Sequence, residues 1–438
     1  MAKFLIVSAL AETVGVAIRL MAEGHEVRYY IHSKEEGDVG DGFLQKVKDW
    51  REHLDWADLV FFDDVRQRGE GESTYDAGKW FLEVREQYPD KLLIGGPPDV
   101  GRLENDRLFG QQVMADHGIP VVPMHRFTSF EEGRSFVQEH GGGWALKWNS
   151  QVPRDLAHVS FDPEDMLEFL SWVEENWGEL AAGQKVDFVL QEAVKGIELA
   201  VTVFFDGQRF HGEACYINQE EKKLLDGGLG PTTGQTGEIG VMIPNARLYQ
   251  ETLAKVEPFL AEQGYVGFAD INCIVAGPDK VVPLEFTIGR PGYPTIYSWC
   301  EVLGEPVGEF LLRMAAGDDR PIRYHPAVDC TVVLATGSFP EANPTRNRVS
   351  VLHGLEKTGL RHVWLCEVRF QDGRIYGAGD MGYLAVITGK GDGIQEAVQN
   401  AYATIEQLSV TPYEKYRLDI GERALREFPQ LASWGWLR

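Results

Sequence analysis

Short apolar runs alternate with helical segments along the first hundred residues, and this alternation constrains the fold of the chain more than any other feature. Apolar runs at 4–7, 58–62 and 91–95 indicate strands, and the segments between them, including 13–22 and 77–87, have the spacing of amphipathic helices. Strands that are joined through helices run parallel and are covered on both faces. The pattern therefore predicts a parallel α/β sheet at the N-terminal end.

The remaining chain predicts further units with a different pattern. With 438 residues, a prior of ~150 residues per domain suggests about three domains. We expect a multidomain protein of α/β and α+β class, with domains at 1–103, 104–326 and 327–438. Within the last two domains the sequence predicts helices at 163–176 and 247–263, a Gly/Thr-rich loop at 230–240, a strand hairpin at 267–285 and a single strand at 363–370.

The composition excludes several functional classes. The net charge of −25 repels nucleic acids and anionic membranes, so direct nucleic-acid binding is not expected. Backbone amides can still hold a phosphate inside an acidic protein. No run of ~18 apolar residues indicates a membrane span, and the N-terminus lacks the features of a signal peptide, which predicts a cytoplasmic protein. Five scattered cysteines predict reduced thiols rather than zinc or disulfides.

Two segments carry polar groups suited to a nucleotide. Lys147 lies inside an Ala-Leu-Lys-Trp strand, where burial of an unpaired ammonium is costly and a bound phosphate would offset the cost. The alternative is a lysine that reaches the surface. The strands at 187–192 and 198–205 meet at a short connection, which would suit an adenine edge, with a nearby carboxylate for the ribose hydroxyls. The alternative is an ordinary hairpin.

Two further segments suit phosphate and metal. The glycines of 226–237 let backbone amides approach an anion, although the segment is neither a Walker A loop nor a dinucleotide fingerprint; the alternative is a flexible linker. Asp270 and Glu285 on neighbouring strands would repel each other without a cation between them, and oxygen ligands suit magnesium. Arg290 could hold a transferring phosphoryl group or a substrate carboxylate. The alternative is a solvated hairpin.

The order of these segments resembles that of the ATP-grasp superfamily, and in particular of glycinamide ribonucleotide synthetase (phosphoribosylamine–glycine ligase). The resemblance runs nearly end to end, and the segments that carry it are 92–109, 116–120, 230–234, 284–294 and 416–424.

The chain also departs from that family. The N-terminal Gly-Gly-Arg-Glu-His loop is replaced by 8–13, and the Gly-rich flap after the strand lysine is replaced by 148–154. Arg107 stands where a lysine is usual, Thr287 stands where a metal-binding asparagine is expected, and one residue is inserted before Arg290. The departures leave open which amine the protein uses.

The resemblance implies a ligase that activates a carboxylate with ATP and Mg²⁺, with Mn²⁺ as a substitute, through an acyl phosphate. It implies that Lys147 and Arg290 are catalytic and that 148–154 and the Gly/Thr-rich loop close over the site. For the nucleotide, the resemblance implies contacts by Arg107, Lys147, Gln191, Glu192, Val194, Glu198, Lys223 and Asn272. For the substrates, it implies contacts by Gly230, Pro231, Thr232, Thr233, Gly234, Arg290 and Gly292. For the metal, it implies Asp270, Glu285 and Thr287 as ligands.

Three functional hypotheses remain at this stage. The first joins glycine, or another small amino acid, to phosphoribosylamine. The second is a ligase for a different amine or amino acid, and the third is a nucleotide-binding regulator without catalysis. In each hypothesis the partners are small molecules, and the protein is a monomer or a homodimer.

Overall fold

The N-terminal part of the chain forms the parallel sheet that the sequence predicts. The computed structural model describes residues 1–68, 74–149, 152, 156–181, 183–290, 292–412 and 414–438. The first elements are β1 (Lys3–Ser8), α1 (Val14–Ala22), β2 (Glu26–Ile31), β3 (Gln45–Lys46), β4 (Leu59–Phe62), β5 (Gln67–Arg68), β6 (Tyr75–Asp76), α2 (Ala77–Gln87), β7 (Leu92–Ile94) and α3 (Pro98–Asn105). Five of the strands pair in parallel in the order β3-β2-β1-β4-β7.

A small antiparallel sheet follows, in the order β10-β9-β11-β8. Its region comprises α4 (Arg107–Asp116), β8 (Met124–Phe127), α5 (Phe130–His140), β9 (Trp144–Trp148), β10 (His158–Ser160), α6 (Pro163–Leu180) and β11 (Phe188–Glu192). The expectation that α6 ends before Gly178 is wrong. Trp177 stacks on Trp148 and packs edge-on against Phe130, and this packing continues the helix through a glycine that weakens it.

The largest sheet begins after β11, and the predicted loop at 230–240 is a strand of it. Its region comprises β12 (Ile197–Phe205), β13 (Cys215–Leu225), β14 (Leu229–Ile243), α7 (Arg247–Glu251), α8 (Glu257–Gln263), β15 (Gly267–Gly277), β16 (Lys280–Gly289), α9 (Thr295–Val302) and α10 (Val307–Ala315). The glycines of β14 permit close packing, since a Cβ on Gly240 would lie 1.9 Å from the Tyr216 hydroxyl. Glycine inside a strand often marks such an approach.

The predicted helix at 247–263 is two helices. Thr252 has φ −128° and ψ −96°, which is outside the helical region, and a short 3₁₀ turn precedes α8. A proline in the first turn of α8 lacks the N–H that a continuous helix would need.

The C-terminal part extends the largest sheet. Its elements are β17 (Val328–Thr336), α11 (Pro344–Asn347), β18 (Val351–His353), α12 (Leu355–Thr358), β19 (Val363–Leu365), β20 (Val368–Gln371), β21 (Arg374–Gly377), β22 (Tyr383–Gly391), α13 (Ile394–Ile405), β23 (Ser409–Thr411), β24 (Glu414–Lys415) and α14 (Glu422–Ser433). The sheet order is β16-β15-β12-β13-β14-β17-β22-β19, with β24 on β17. The predicted strand at 363–370 is two strands, β19 and β20, in different sheets.

The N-terminal sheet and the largest sheet share one apolar cluster, which includes Phe4 and Phe61 of the first and Phe204 and Phe268 of the second. We propose 1–103, 104–326 and 327–438 as the organisation of the chain, with the pairing of β14 and β17 crossing the last boundary. All five cysteines are buried as free thiols, as the sequence predicts. In the described part of the chain, none of the helices has the length and apolar character needed to cross a bilayer.

A buried histidine fixes the connection between β12 and β13. His211 has no exposed surface, and its two ring nitrogens lie 3.0 Å from Asp206 Oδ2 and 2.9 Å from Glu213 Oε1. Burial opposes the charged form of His211, but hydrogen bonds to the two carboxylates outweigh it and raise the pKa of the imidazole. The same contacts lower the pKa of Asp206 and of Glu213 against the effect of their own burial.

The contribution of the His211 contacts with Asp206 and Glu213 to the free energy of unfolding is expected to depend on pH. The raised pKa of His211 gives a contribution that is complete below its ordinary value of ~6.5 and is lost as pH rises through the folded value. His211→Gln should therefore lower the free energy of unfolding by about 1–3 kcal/mol at pH 6, and by less at pH 9. Urea unfolding at both pH values measures this, with the exposed His140→Gln as control. An equal loss at both pH values would contradict a stabilising role of the charged form of His211.

Candidate nucleotide and carboxylate site

One face of the largest sheet is lined with polar side chains. In the strand register Asp270 lies opposite Thr287 and Thr202, and Asn272 lies opposite Glu285. Alternate residues of a strand point to the same face, so the side chains of these pairs share one face. We call it the polar face, and it consists of Glu198, Thr202, Asn218, Glu220, Lys222, Glu238, Asp270, Asn272, Glu285 and Thr287.

Glu285 is the meeting point of three elements. Lys147 of β9 places its Nζ 3.3 Å from Glu285 Oε2, and Arg107, the first residue of α4, donates to the same oxygen. Burial lowers the pKa of Lys147, which its contact with Glu285 partly offsets. Burial would raise the pKa of Glu285, but the charges of Lys147 and Arg107 hold it well below its usual range. Three residues predicted from separate motifs are thus in direct contact.

The connection between β11 and β12 links two sheets, so it is not an ordinary hairpin. Gln191 is 1% exposed, and both polar atoms of its amide lack a hydrogen-bond partner among the described residues. The backbone N–H of Glu192 donates to the Pro123 carbonyl at 2.9 Å, and Val194 lies two residues further, half-buried. A buried amide without partners is unusual in a folded protein, which makes this hinge a candidate for the nucleotide base.

Glu198 lies at the start of β12, close to the hinge. Its Oε1 accepts a hydrogen bond of 2.6 Å from Lys222 Nζ, and Lys222 lies 3.2 Å from Glu220 Oε2. Lys222 therefore lies on the polar face, whereas the predicted Lys223 is exposed on the other side of β13. Arg417 donates to the Lys223 carbonyl at 3.0 Å, so Lys223 contributes its main chain to the fold there.

The three predicted metal ligands share the polar face. Asp270 is 1% exposed; its Oδ2 accepts from the Thr202 hydroxyl at 2.6 Å, and its Oδ1 has no partner among the described residues. Burial and the nearby Glu220 raise the pKa of Asp270 well above its usual range. No group of three or more His, Cys, Asp or Glu side chains in the described ranges is arranged to hold a metal.

The oxygen donors of the polar face nevertheless fit a magnesium ion that is bound together with substrate phosphates. Mg²⁺ is usually bound through one or two carboxylates together with substrate phosphates and water. Asp270 and Glu285, with the hydroxyl of Thr287, supply oxygen donors of that kind. Asn272 adds a buried amide oxygen without a partner in the described part of the chain. The unpartnered oxygens of Asp270 and Asn272 are compatible with an absent cation or ligand.

The predicted substrate segment lies partly outside this cluster. Gly230, Pro231 and Thr232 belong to β14 near its turn with β13, where Gly230 and Pro231 are exposed, whereas Thr233 is buried and Gly234 is half-buried. The turn itself is tied to the C-terminal part, because Asp419 accepts from the Gly227 N–H at 2.8 Å. In the predicted closing segment 148–154, residues 150, 151, 153 and 154 lie outside the described residues.

Arg290 lies beside the N-terminal sheet. It follows β16, is 5% exposed and donates through Nε to Glu12 Oε2 at 2.8 Å. Glu12 is in the loop after β1, and this loop stands at the carboxyl ends of parallel strands, where the order of the sheet reverses between β1 and β4. Ligands of open α/β sheets bind at such a point. The neighbouring Pro291 lies outside the described residues.

Gly292 lies against the polar face. A Cβ at this position would come 3.2 Å from Glu220 Oε1 and 3.7 Å from the Thr295 hydroxyl. The main chain of Gly292 therefore lies beside Glu220, which connects the Arg-Pro-Gly segment to β13.

Sequence reasoning missed several charged residues of this region. Arg417 and Arg423 both bind Glu221, at 3.2 and 2.9 Å, which secures β13 from the C-terminal part. Lys222 and Glu220 were missed because β13 reads as a polar loop in the sequence. Residues 218–223 are all polar, so no alternation of apolar and polar residues marks this part of β13 as a strand.

Lys222 and Lys223 form a matched pair for mutation. We expect Lys222→Met to raise the Michaelis constant for ATP about 10- to 100-fold, because charged hydrogen bonds contribute ~1.5–3 kcal/mol and Lys222 holds Glu198 and Glu220. Lys223→Met should change it less than about twofold, since an exposed charge contributes little. ATP titrations of ADP release measure both. Equal effects of the two variants would contradict the assignment of Lys222, rather than Lys223, to the nucleotide site.

Part of the chain is similar in sequence to a known protein family. Residues 105–264 match the family described as phosphoribosylglycinamide synthetase, ATP-grasp (A) domain. A phosphoribosylamine–glycine ligase from Ralstonia nicotianae is 26% identical over 348 residues, which cover 76% of this chain and 79% of that protein. The bifunctional purine biosynthetic protein PUR2,5 of Pichia angusta is 24% identical over 77% of this chain, and the match spans 43% of its length.

A solved structure extends the likeness to almost the whole chain. The phosphoribosylamine–glycine ligase of Thermotoga maritima superposes with a TM-score of 0.68 at 20% identity, covering 95% of this chain and 100% of that one. The chain thus has the multidomain fold of ATP-grasp enzymes, and the resemblance predicted from the sequence is confirmed. The biotin carboxylase domain of the Hydrogenobacter thermophilus 2-oxoglutarate carboxylase, solved in complex with MgADP, ADP and bicarbonate, superposes with a TM-score of 0.63 at 16% identity, covering 98% of each chain.

Proposed function

We propose that the protein is an ATP-dependent carboxylate–amine ligase that joins glycine, or another small amino acid, to an amine such as phosphoribosylamine. The observation that carries this proposal is the convergence of Lys147, Arg107 and Glu285, from three elements, above a face that holds Asp270 and Asn272. The joint presence of these cations and acids, with the ATP-grasp likeness, favours catalysis over a regulator.

The reaction would proceed in two steps. A carboxylate oxygen attacks the γ-phosphorus of ATP, the bond to the β-phosphate oxygen breaks, and ADP leaves. The amine nitrogen then attacks the acyl carbon, the carbon–oxygen bond to phosphate breaks, inorganic phosphate leaves, and the nitrogen loses a proton. Both steps depend on positioning and charge neutralisation.

Each residue has a proposed task in these steps. Gln191, Glu192 and Val194 would receive the base, and Glu198 the ribose. Lys147 and Arg107 would stabilise phosphate charge. A divalent cation held by Asp270 and Glu285, with Thr287, would neutralise the phosphates when bound. Arg290 and the buried residues of β14 would contact the substrates. We place the enzyme in the cytoplasm as a monomer or a homodimer.

The test supplies ATP, Mg²⁺ and glycine with and without freshly prepared phosphoribosylamine, and follows ADP, phosphate and product mass. ADP and glycinamide ribonucleotide that appear only with both substrates would support the proposal. ADP with another amine only would keep the ligase and replace the amine. ATP binding without ADP formation across a broad panel of amines and amino acids would overturn the proposal in favour of a regulator.

A further inference from the structure

Acidic side chains gather at the edge of the N-terminal sheet where its parallel strands end. Glu12 follows β1, and Glu36 and Asp38 follow β2. Glu367 joins them from the C-terminal part, where it lies between β19 and β20. We call these four residues the acidic edge. Because ligands of open α/β sheets bind outside the carboxyl ends of the strands, the acidic edge lies where a substrate is expected.

The acidic edge adjoins the polar face through the segment that follows β16. Arg290 donates through Nε to Glu12 Oε2 at 2.8 Å. Two residues later, a Cβ on Gly292 would lie 3.2 Å from Glu220 Oε1 on the polar face. The main chain therefore passes from one surface to the other within three residues. An amine substrate that reacts at the polar face can thus extend to the acidic edge.

Main-chain N–H groups that are suited to a phosphate at this edge already bind carboxylates. They belong to the turn between β21 and β22, and successive N–H groups of a turn form a concave site for anions. Three of them donate to the acidic edge: Gly379 to Asp38 at 3.3 Å, Asp380 to Glu36 at 3.2 Å and Gly382 to Glu367 at 2.6 Å. The protein itself therefore supplies the anions that this turn binds.

The arginines near the acidic edge are occupied in the same way. Each lies at ion-pair distance from a carboxylate: Arg66 and Arg68 from Asp64, Arg290 from Glu12, and Arg348 from Asp38. A phosphate at this edge would have to displace a carboxylate from an arginine or from the turn, and would then face the displaced negative charge. Like charges that are brought together in this way act against the wrong partner.

Glu36 and Glu367 are the two acids of this edge that lack a basic partner. They are 5% and 9% exposed, and in the described ranges neither has a basic side chain at ion-pair distance. Burial raises the pKa of Glu36 to about 7, against the hydrogen bond from the Asp380 N–H. Burial, and then the charge of Glu36, raises the pKa of Glu367 well above its usual range. A cationic group would hold both carboxylates ionised.

One oxygen of this pair also points to an absent donor. Glu36 Oε1 accepts from the Asp380 N–H, whereas Glu36 Oε2 is buried and has no hydrogen-bond partner among the described residues. Buried acceptors are normally satisfied. An ammonium group, which has three donors and no acceptor, is complementary to this oxygen and to the charge of the pair.

We propose that the acidic edge selects the amine substrate by charge, so that Glu36 and Glu367 bind a second, positively charged group of an amine that carries no phosphate. This inference rests on the proposed ligase function and narrows its amine to a class that excludes phosphoribosylamine. One nitrogen of such a diamine attacks the acyl phosphate as the neutral amine, and the other stays protonated beside Glu36 and Glu367. Glu12 and Asp38 keep the neighbouring arginines occupied and so exclude phosphate groups.

The first test compares amines that differ in charge. The full-length protein receives ATP, Mg²⁺ and glycine together with putrescine, butylamine or freshly prepared phosphoribosylamine, and ADP and product mass are followed. We expect kcat/KM for putrescine to exceed that for butylamine ~10- to 100-fold, because its second ammonium group forms charge-assisted hydrogen bonds with buried carboxylates. Phosphoribosylamine should be used at least ~10-fold less well than putrescine.

A calorimetric titration tests the same selectivity without turnover. The protein with ADP and Mg²⁺ is titrated with putrescine, with butylamine and with ribose phosphate, which represents a phosphorylated sugar. Putrescine should bind at least ~10-fold more tightly than either of the other two compounds. This comparison uses the wild-type protein and does not require a variant to fold.

A variant locates the selectivity. Glu36→Gln keeps the shape of the side chain and removes its charge. It should reduce the preference for putrescine over butylamine at least ~5-fold, whereas a purely structural defect would lower the use of both amines alike. The control is Glu35→Gln, which removes the charge of the neighbouring, exposed glutamate and should keep the wild-type preference. Thermal unfolding shows whether both variants are folded.

Each outcome decides the inference. Equal use and equal binding of putrescine and butylamine by the wild-type protein would overturn it, as would the absence of putrescine binding. A preference for phosphoribosylamine would overturn it and support the ligase proposal with that amine. An unchanged preference in a folded Glu36→Gln protein would overturn the role of Glu36. Absence of ADP with every amine would remove the ligase proposal, and the titration would then decide whether the acidic edge selects a positive charge.

Discussion

Glu285→Gln is expected to lower kcat for ADP release by roughly 1000-fold. Glu285 balances the charges of Lys147 and Arg107, which reach it from two other elements, and it is one of the two proposed carboxylate ligands of the metal. A neutral amide cannot balance two cations. Burial already lowers the pKa of Lys147, so the loss of its counter-charge also favours an uncharged lysine that is poorly suited to a phosphate.

Steady-state ADP release measures this effect. The control is Asp279→Asn, which removes a carboxylate from the turn of the same β15–β16 hairpin, where its side chain is 92% exposed. Thermal unfolding shows whether both variants are folded. A kcat for Glu285→Gln within tenfold of wild type would contradict a role of Glu285 at the reacting phosphate.

Arg290→Met is expected to lower the free energy of unfolding by about 3–5 kcal/mol. The Arg290 side chain is 6% exposed, and its partner Glu12 is half-buried, at 18% exposure. Burial would raise the pKa of Glu12, but Arg290, Arg68 and Arg66 lower it. Removal of Arg290 takes away the nearest counter-charge of Glu12 and leaves Arg66 at 4.0 Å, and this weaker compensation is the cause of the expected loss.

A double-mutant cycle with Glu12→Gln tests the coupling. If the pair is the cause, the double variant should be more stable than the sum of the two single losses predicts, by at least ~1 kcal/mol. Urea unfolding followed by tryptophan fluorescence gives the energies. The control, Arg320→Met, removes an arginine that is 66% exposed and pairs with Asp318, and should change stability by less than ~0.5 kcal/mol. Additive losses at Glu12 and Arg290 would show that the pair is not coupled.

The elements that could be predicted from the sequence are those in which burial sets the spacing of the apolar residues. The bounds of α2 agree with the predicted range 77–87, and those of α1 and β4 lie within one residue of the predicted 13–22 and 58–62, because the apolar residues of each pack into a core. β13 and β14 could not be predicted in this way. The polar residues of β13 face a site, and the glycines of β14 make room for neighbours such as Tyr216, so neither strand shows an apolar pattern.

The site could be predicted to the extent that each residue lies on a recognisable motif. Lys147 and Glu285 were expected to serve the same phosphate end, and the structure brings them into contact. Lys223 was predicted, whereas the polar face carries Lys222, and the sequence does not show which face of β13 a residue occupies. The contact of Arg290 with Glu12 joins positions 278 residues apart, and no local pattern contains it.

The pairing of β14 with β17 has a consequence for how the chain is made. Residues 237–241 of β14 have their partners at 328–332, so a chain that stops at residue 326 presents an open strand edge with unpaired N–H and C=O groups. Such edges recruit other chains and lead to aggregation. During synthesis, which proceeds from the N-terminus, the sheet that carries the polar face stays open until β17 has left the ribosome. A prematurely released chain is therefore a target for chaperones or proteases.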